Sequence, residues 1–224
     1  MKKAIITSLL FLLSVSGFSQ TRLVDEFRAA EQISSLKDGA LIVRLSKRQR
    51  SIDHLIKLGY SEKAAEIRKE QSERNKKWVS AFNENFNFCK VYFIYSEESY
   101  KVIEGNLNDV NFLDSNLEVN NSITFTEDYF LTAEYGPILQ DTLGTSKRTE
   151  YFKNTEKGPE RKYEMDGGAY FHDLMGFVVK DQKFIQLIKP FPYYVKENVV
   201  IVKRDENDII KNLNGRLSSY YAGN

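Results

Sequence analysis

The chain has 224 residues, with 32 Lys and Arg against 31 Asp and Glu, a formal charge of +1 that singles out no class of partner. Its single cysteine excludes an intramolecular disulfide, so the fold is expected to be held by its core. One cysteine and two histidines fall short of the three or four nitrogen and sulfur ligands that zinc takes, and neither a metal nor a cofactor is expected.

The first element reads as an export signal. Lys2 and Lys3 precede an apolar run from Ala4 to Val15, and Gly17-Phe18-Ser19 supplies the small residues that a signal peptidase reads. Residues 1–19 are therefore predicted to be removed after Ser19, leaving one α/β domain over 20–224. The run is short for a bilayer, which takes about 20 residues in a helix, and no cysteine follows it to accept a lipid. The expectation is a soluble protein of bacterial type, periplasmic or secreted, with no lasting membrane insertion and no nucleic acid to meet.

Val24 to Leu36 is predicted as a helix with Val24, Phe27, Ala30 and Ile33 on one face, ended by Asp38-Gly39. Ala40 to Leu45 reads as the first strand. A second helix over Arg48 to Leu58 groups Ile52, Leu55 and Ile56, and Gly59 is its left-handed stop. Ser61 is the expected N-cap of a helix running to about Asn85. Between Ile67 and Trp78 that helix has no apolar residue, so it is predicted to protrude into solvent as a charged helix over about 61–85. The segment Leu41 to Ser80 holds eleven Lys and Arg against five acids, whereas Glu97 to Asp141 holds ten acids against Lys101 alone. The two segments are expected to face each other, or water, within one fold.

Val91 to Tyr95 is a strand by its β-branched and aromatic content, followed by a polar helix or loop from Ser96 to Leu107. Ser122 to Thr126 and Tyr129 to Tyr135 read as strands around Glu127-Asp128. The charged, turn-rich stretch over about 140–166 is the expected variable loop, with Thr149 to Lys153 and Arg161 to Met165 paired across Glu156 to Pro159. A further hairpin is predicted between Leu174 to Val179 and Lys183 to Ile188, ended at Pro190 and Pro192, either of which can follow a cis bond. Asp205 caps a last helix that buries Ile209, Ile210, Leu213 and Leu217.

This order predicts a mixed β-sheet with packed helices. It loosely resembles the thioredoxin-like fold, in which a βαβ unit is followed by a β-hairpin and a final helix. The family's Cys-x-x-Cys would follow the first strand, where this chain has Ser46-Lys47-Arg48-Gln49. The resemblance therefore carries over no catalytic residue and implies at most a redox-dead scaffold.

Catalytic sets built on Ser-His-Asp or Cys-His need a histidine beside the nucleophile. His54 falls inside a helical pattern. His172-Asp173, after Gly167-Gly168, is the better candidate pair. Cys89 precedes an apolar strand and has Lys90 as its one near cation in the sequence, which reads as a buried structural thiol. Among 13 tyrosines, Tyr193 and Tyr194, with Phe191 and Pro192, are candidates for a platform that takes a protein, peptide or glycan partner. Taken together these features point to a non-catalytic binding or accessory protein. The alternative is a periplasmic enzyme, either a redox-degenerate thioredoxin-like protein or a hydrolase using His172 and Asp173.

Overall fold

The computed structural model describes residues 23–139, 148–155, 158–165, 174–199 and 202–223, with the backbone alone for the two central segments. The expected fold class is borne out: helices pack on a six-stranded mixed sheet. In chain order the strands are β1 (Ala40–Leu45), β2 (Lys90–Tyr95), β3 (Phe112–Leu113), β4 (Phe130–Pro137), β5 (Arg148–Thr155), β6 (Gly158–Met165), β7 (Met175–Lys180), β8 (Tyr194–Lys196), β9 (Asn198–Val199) and β10 (Val202–Lys203). The main sheet has the order β3-β2-β1-β4-β7-β8; β5 with β6 and β9 with β10 form separate two-stranded ribbons.

The central strand β1 is parallel to β2 on one side and to β4 on the other, while β3, β7 and β8 are added antiparallel. A strand paired on both sides and covered on both faces must be apolar almost throughout, and Ala-Leu-Ile-Val-Arg-Leu is. Its alternate residues serve two cores. Leu41, Val43 and Leu45 join the helices on one face, and Ala40 and Ile42 join Tyr92, Ile94, Val102, Phe112 and Phe184 on the other.

The helices are α1 (residues 23–38), α2 (Gln49–Lys57), α3 (Ser61–Asn85), α4 (Ser99–Glu104) and α5 (Glu206–Ala222). Helices α1, α3 and α5 supply the first core, so the crossover from β1 to β2 covers that face. The chain from β2 to β4 passes through α4 and β3 and covers the opposite face. Helix α5 follows its pattern in every respect: Asp205 accepts from the Asp208 N–H at 2.8 Å, and Ile209, Ile210, Leu213 and Leu217 are buried. Gly39 joins α1 to β1 at a step where an added Cβ would lie 2.3 Å from the Tyr129 carbonyl oxygen, so no larger residue fits.

Several expectations need correction. Helix α1 buries Ala29, Ile33 and Leu36, spaced at i, i+4 and i+7, and leaves Val24 and Phe27 exposed. In α2 only Ile52 is buried and Ile56 is exposed. Tyr60 occupies the N-cap of α3, with Ser61 as its first helical residue. Residues 122–126 form no strand; the Tyr92 hydroxyl, which donates to Glu127, lies 3.2 Å from the Thr124 carbonyl oxygen, and Phe125 packs in the second core.

The predicted arm from Lys183 to Ile188 forms no strand and meets β7 at one antiparallel bridge, Lys180 with Gln186, while β8 takes the strand position beside β7. The buried residues there are Phe184 and Leu187, three apart, with Ile185 and Ile188 exposed, so the period of two is not what the core reads. Asp181 closes the segment into a turn by accepting from the Lys183 and Ile185 N–H groups, and Phe184 enters the core at φ 61°. The Lys189-Pro190 bond is cis. The thioredoxin-like order is not confirmed: a third parallel strand, β4, flanks β1, and the β5–β6 hairpin separates β4 from β7.

Glu127 ties its turn to β2. It accepts from Lys90 Nζ at 2.8 Å and from the Tyr92 hydroxyl at 2.7 Å. Burial opposes its charge, but these bonds and those from the Thr126 N–H and hydroxyl outweigh it and hold the carboxyl down to about 2. A carboxylate depressed below its unfolded value of about 4.3 stabilises the fold above that pH, and the contribution fades as pH falls through the folded value. Urea unfolding between pH 5 and pH 2 should therefore show a shallower acid loss for Glu127→Gln than for the parent chain.

Candidate functional site

A crevice of about 340 Å³ opens at the carboxyl ends of the parallel strands. Leu45 and Ser46 leave β1 there, Ser96 leaves β2, and Tyr135 and Pro137 end β4. Because the chain leaves β1 for one face of the sheet and β2 for the other, the loops diverge and open a gap, the place where open α/β sheets bind ligands.

The fourth wall is the polar stretch of α3. Gln71, Arg74, Asn75 and Trp78 recur at i, i+3, i+4 and i+7, so they share one face. Helix α3 is thus not solvated all round, as its composition suggested; its inward stripe continues from Ala64 and Ile67 through polar residues to Trp78. Asn75 is 3% exposed. Its amide donates to the Ser46 carbonyl at 2.9 Å and accepts from Gln71 at 3.0 Å, which ties the helix to the end of β1.

Trp78 is also 3% exposed and packs against Tyr135 and Phe177, with centroids 5.5 and 5.2 Å away. Its indole N–H finds no hydrogen-bond acceptor among the described residues. Buried indole donors ordinarily have a partner, and leaving one unpaired costs about 1–3 kcal/mol. The Arg74 guanidinium lies over the Tyr135 ring, 4.1 Å from its centroid, and reaches Glu197 and Glu206 at only 3.5 and 3.9 Å. Tyr135 donates to Glu197 at 2.7 Å; burial first, and that carboxylate second, push its phenol up and keep it a neutral donor.

Beneath the crevice, Arg44 of β1 pairs with Glu134 of β4 and lies over Phe184, 4.8 Å from the ring centroid. Lys180 of β7 donates to the other Glu134 oxygen at 2.6 Å. All three are largely buried, with side chains 18%, 11% and 9% exposed for Arg44, Glu134 and Lys180. The pairing of Arg44 with Glu134 also joins the basic and acidic segments of the sequence.

The residues singled out from sequence lie elsewhere. His172 and Asp173 fall outside the described residues, as do residues 140–147 of the variable loop. Tyr193 is 2% exposed and Phe191 is 1% exposed, so most of that aromatic run is core. Tyr194 is half-buried against Tyr193, and its carbonyl accepts from Arg216 at 2.7 Å. Beside it a wider groove of about 690 Å³ runs along α5 past Pro192 and Lys211. His54 is exposed on α2.

Sequence reasoning passed over Gln71, Arg74 and Asn75 because their neighbours are charged. The signal was their register with Ala64, Ile67 and Trp78, which places them on the stripe that faces the sheet.

Cys89 is half-buried against the main core. Burial pushes its thiol up to about 12, against the smaller opposing effects of the Lys37 charge and the Leu41 backbone. Native protein at pH 8 should resist a thiol reagent and label stoichiometrically once unfolded; rapid native labelling would contradict this placement.

Among the described residues no group of three or more His, Cys, Asp or Glu is placed to hold a metal ion, and no helix is long and apolar enough to cross a membrane. No protein-family model, curated protein or solved structure matches the chain.

Proposed function

We propose that the chain is an exported, non-catalytic binding protein and that its ligand enters the crevice between α3 and the carboxyl ends of β1, β2 and β4. The observation that carries the reading is the convergence there of polar side chains from distant parts of the chain. Gln71, Arg74 and Asn75 come from a helix, Ser46 and Ser96 from two strand ends, and Tyr135 from a third. Sites of this kind join an apolar wall to a few oriented polar groups, which Trp78 and these residues supply.

Ser96 is exposed at the rim, so Ser96→Trp should fill the mouth without disturbing the core. A thermal-shift screen of small metabolites is expected to give hits with the parent chain that vanish in this variant. Hits that survive Ser96→Trp would move the site elsewhere. Export is tested by the mass of protein recovered outside the cytoplasm, which should begin at Gln20.

A further inference from the structure

We infer that the crevice takes a small oxyanion, a carboxylate or a phosphate, held by Arg74 and the indole N–H of Trp78; this rests on the crevice being the binding site. Trp78 is nearly fully buried at the crevice wall, and its N–H has no acceptor among the described residues. A donor kept dry and unpaired calls for an acceptor brought from outside.

Arg74 points to the same chemistry. Nitrogen to oxygen distances of 3.5 and 3.9 Å to Glu197 and Glu206 exceed those of good charged hydrogen bonds, which run about 2.7–2.9 Å. The guanidinium plane is nevertheless fixed by its stack on Tyr135. A pre-positioned fork with loosely engaged N–H groups suits the two oxygens of a carboxylate or phosphate. Among the described residues, Arg44 Nη1 reaches only Ser99 Oγ, at 3.5 Å, and adds a second cationic donor from the floor.

Glu134, the one carboxylate lining the crevice among the described residues, does not oppose an anion strongly. Glu134 accepts from Arg44 on one oxygen and from Lys180 on the other, so its charge is met from within the protein. The volume of about 340 Å³ sits at the low end of the ~300–1,000 Å³ range of ligand pockets and sets the ligand's size to a small acid or a small phosphate ester.

Trp78 is the only tryptophan, so its emission reports on this crevice alone. Purified protein would be titrated at constant ionic strength with malate and citrate as carboxylates, with inorganic phosphate and glycerol phosphate as phosphates, and with myo-inositol as the neutral comparator. A saturable change with one oxyanion set and none with myo-inositol is expected, and the responding set names the source.

Arg74→Gln should weaken that binding about tenfold or more, with Arg74→Lys between. Trp78→Phe, followed by calorimetry, should weaken it comparably while leaving the unfolding midpoint unchanged or higher, since an unpaired donor has been removed. Affinity unchanged from the parent chain in both Arg74→Gln and Trp78→Phe would overturn the inference. Saturation by myo-inositol alone, lost in Ser96→Trp, would overturn the oxyanion while sparing the crevice as the site. Absence of any response together with screen hits that persist in Ser96→Trp would overturn both readings.

Discussion

Replacing Glu134 with alanine is expected to lower the unfolding free energy by about 3–5 kcal/mol, the loss typical when one member of a buried ionic cluster is removed. The carboxylate is shared by Arg44 and Lys180, which come from strands on either side of β4. Without it two largely buried cations lose the group that offsets their desolvation. Glu134→Gln retains a hydrogen-bond acceptor and should cost less than alanine. Urea unfolding at pH 7 measures both variants, and a loss below about 1 kcal/mol for alanine would show that the cluster is not a structural tie.

Phe177→Ala should cost a similar ~3–5 kcal/mol, through lost transfer energy and the cavity left behind. Phe177 is 1% exposed, pairs across the sheet with Tyr135 and Val195, and touches both Trp78 and Phe82. Its loss should also loosen the crevice wall, so tryptophan emission in the native baseline should shift along with the unfolding midpoint. Phe177→Leu retains most of the volume and should cost under half as much. An alanine variant whose stability and emission both match the parent would mean that the aromatic stack contributes little.

These two sites also show how legible the fold was. Ala40 to Leu45 announced a strand because an apolar, partly β-branched run suits a buried one, while its central place was shown only by the sheet order. Ile209, Ile210, Leu213 and Leu217 announced α5 because a helix with one buried face repeats at 3.6 residues. The hairpin of β5 and β6 was signalled in the sequence by the turn-prone pair Gly158-Pro159, although both residues fall inside β6, paired with Thr155 and Asn154. Lys183 to Ile188 misled because an alternating pattern states what a strand would look like, whereas the Asp181 turn and the seat available to Phe184 decided the outcome.

By itself, the sequence determined the first strand, the capped last helix and the lack of an internal disulfide, since each follows from local sterics, short periodicities or a count of thiols. Only the tertiary structure decided that β4 lies beside β1, that Arg44 meets Glu134, and that the polar stretch of α3 faces inward to form a crevice. Those facts depend on contacts between residues tens of positions apart, and such contacts leave no periodic trace along the chain. The same charged helix would read identically in sequence whether its polar stripe met water or the ends of three strands.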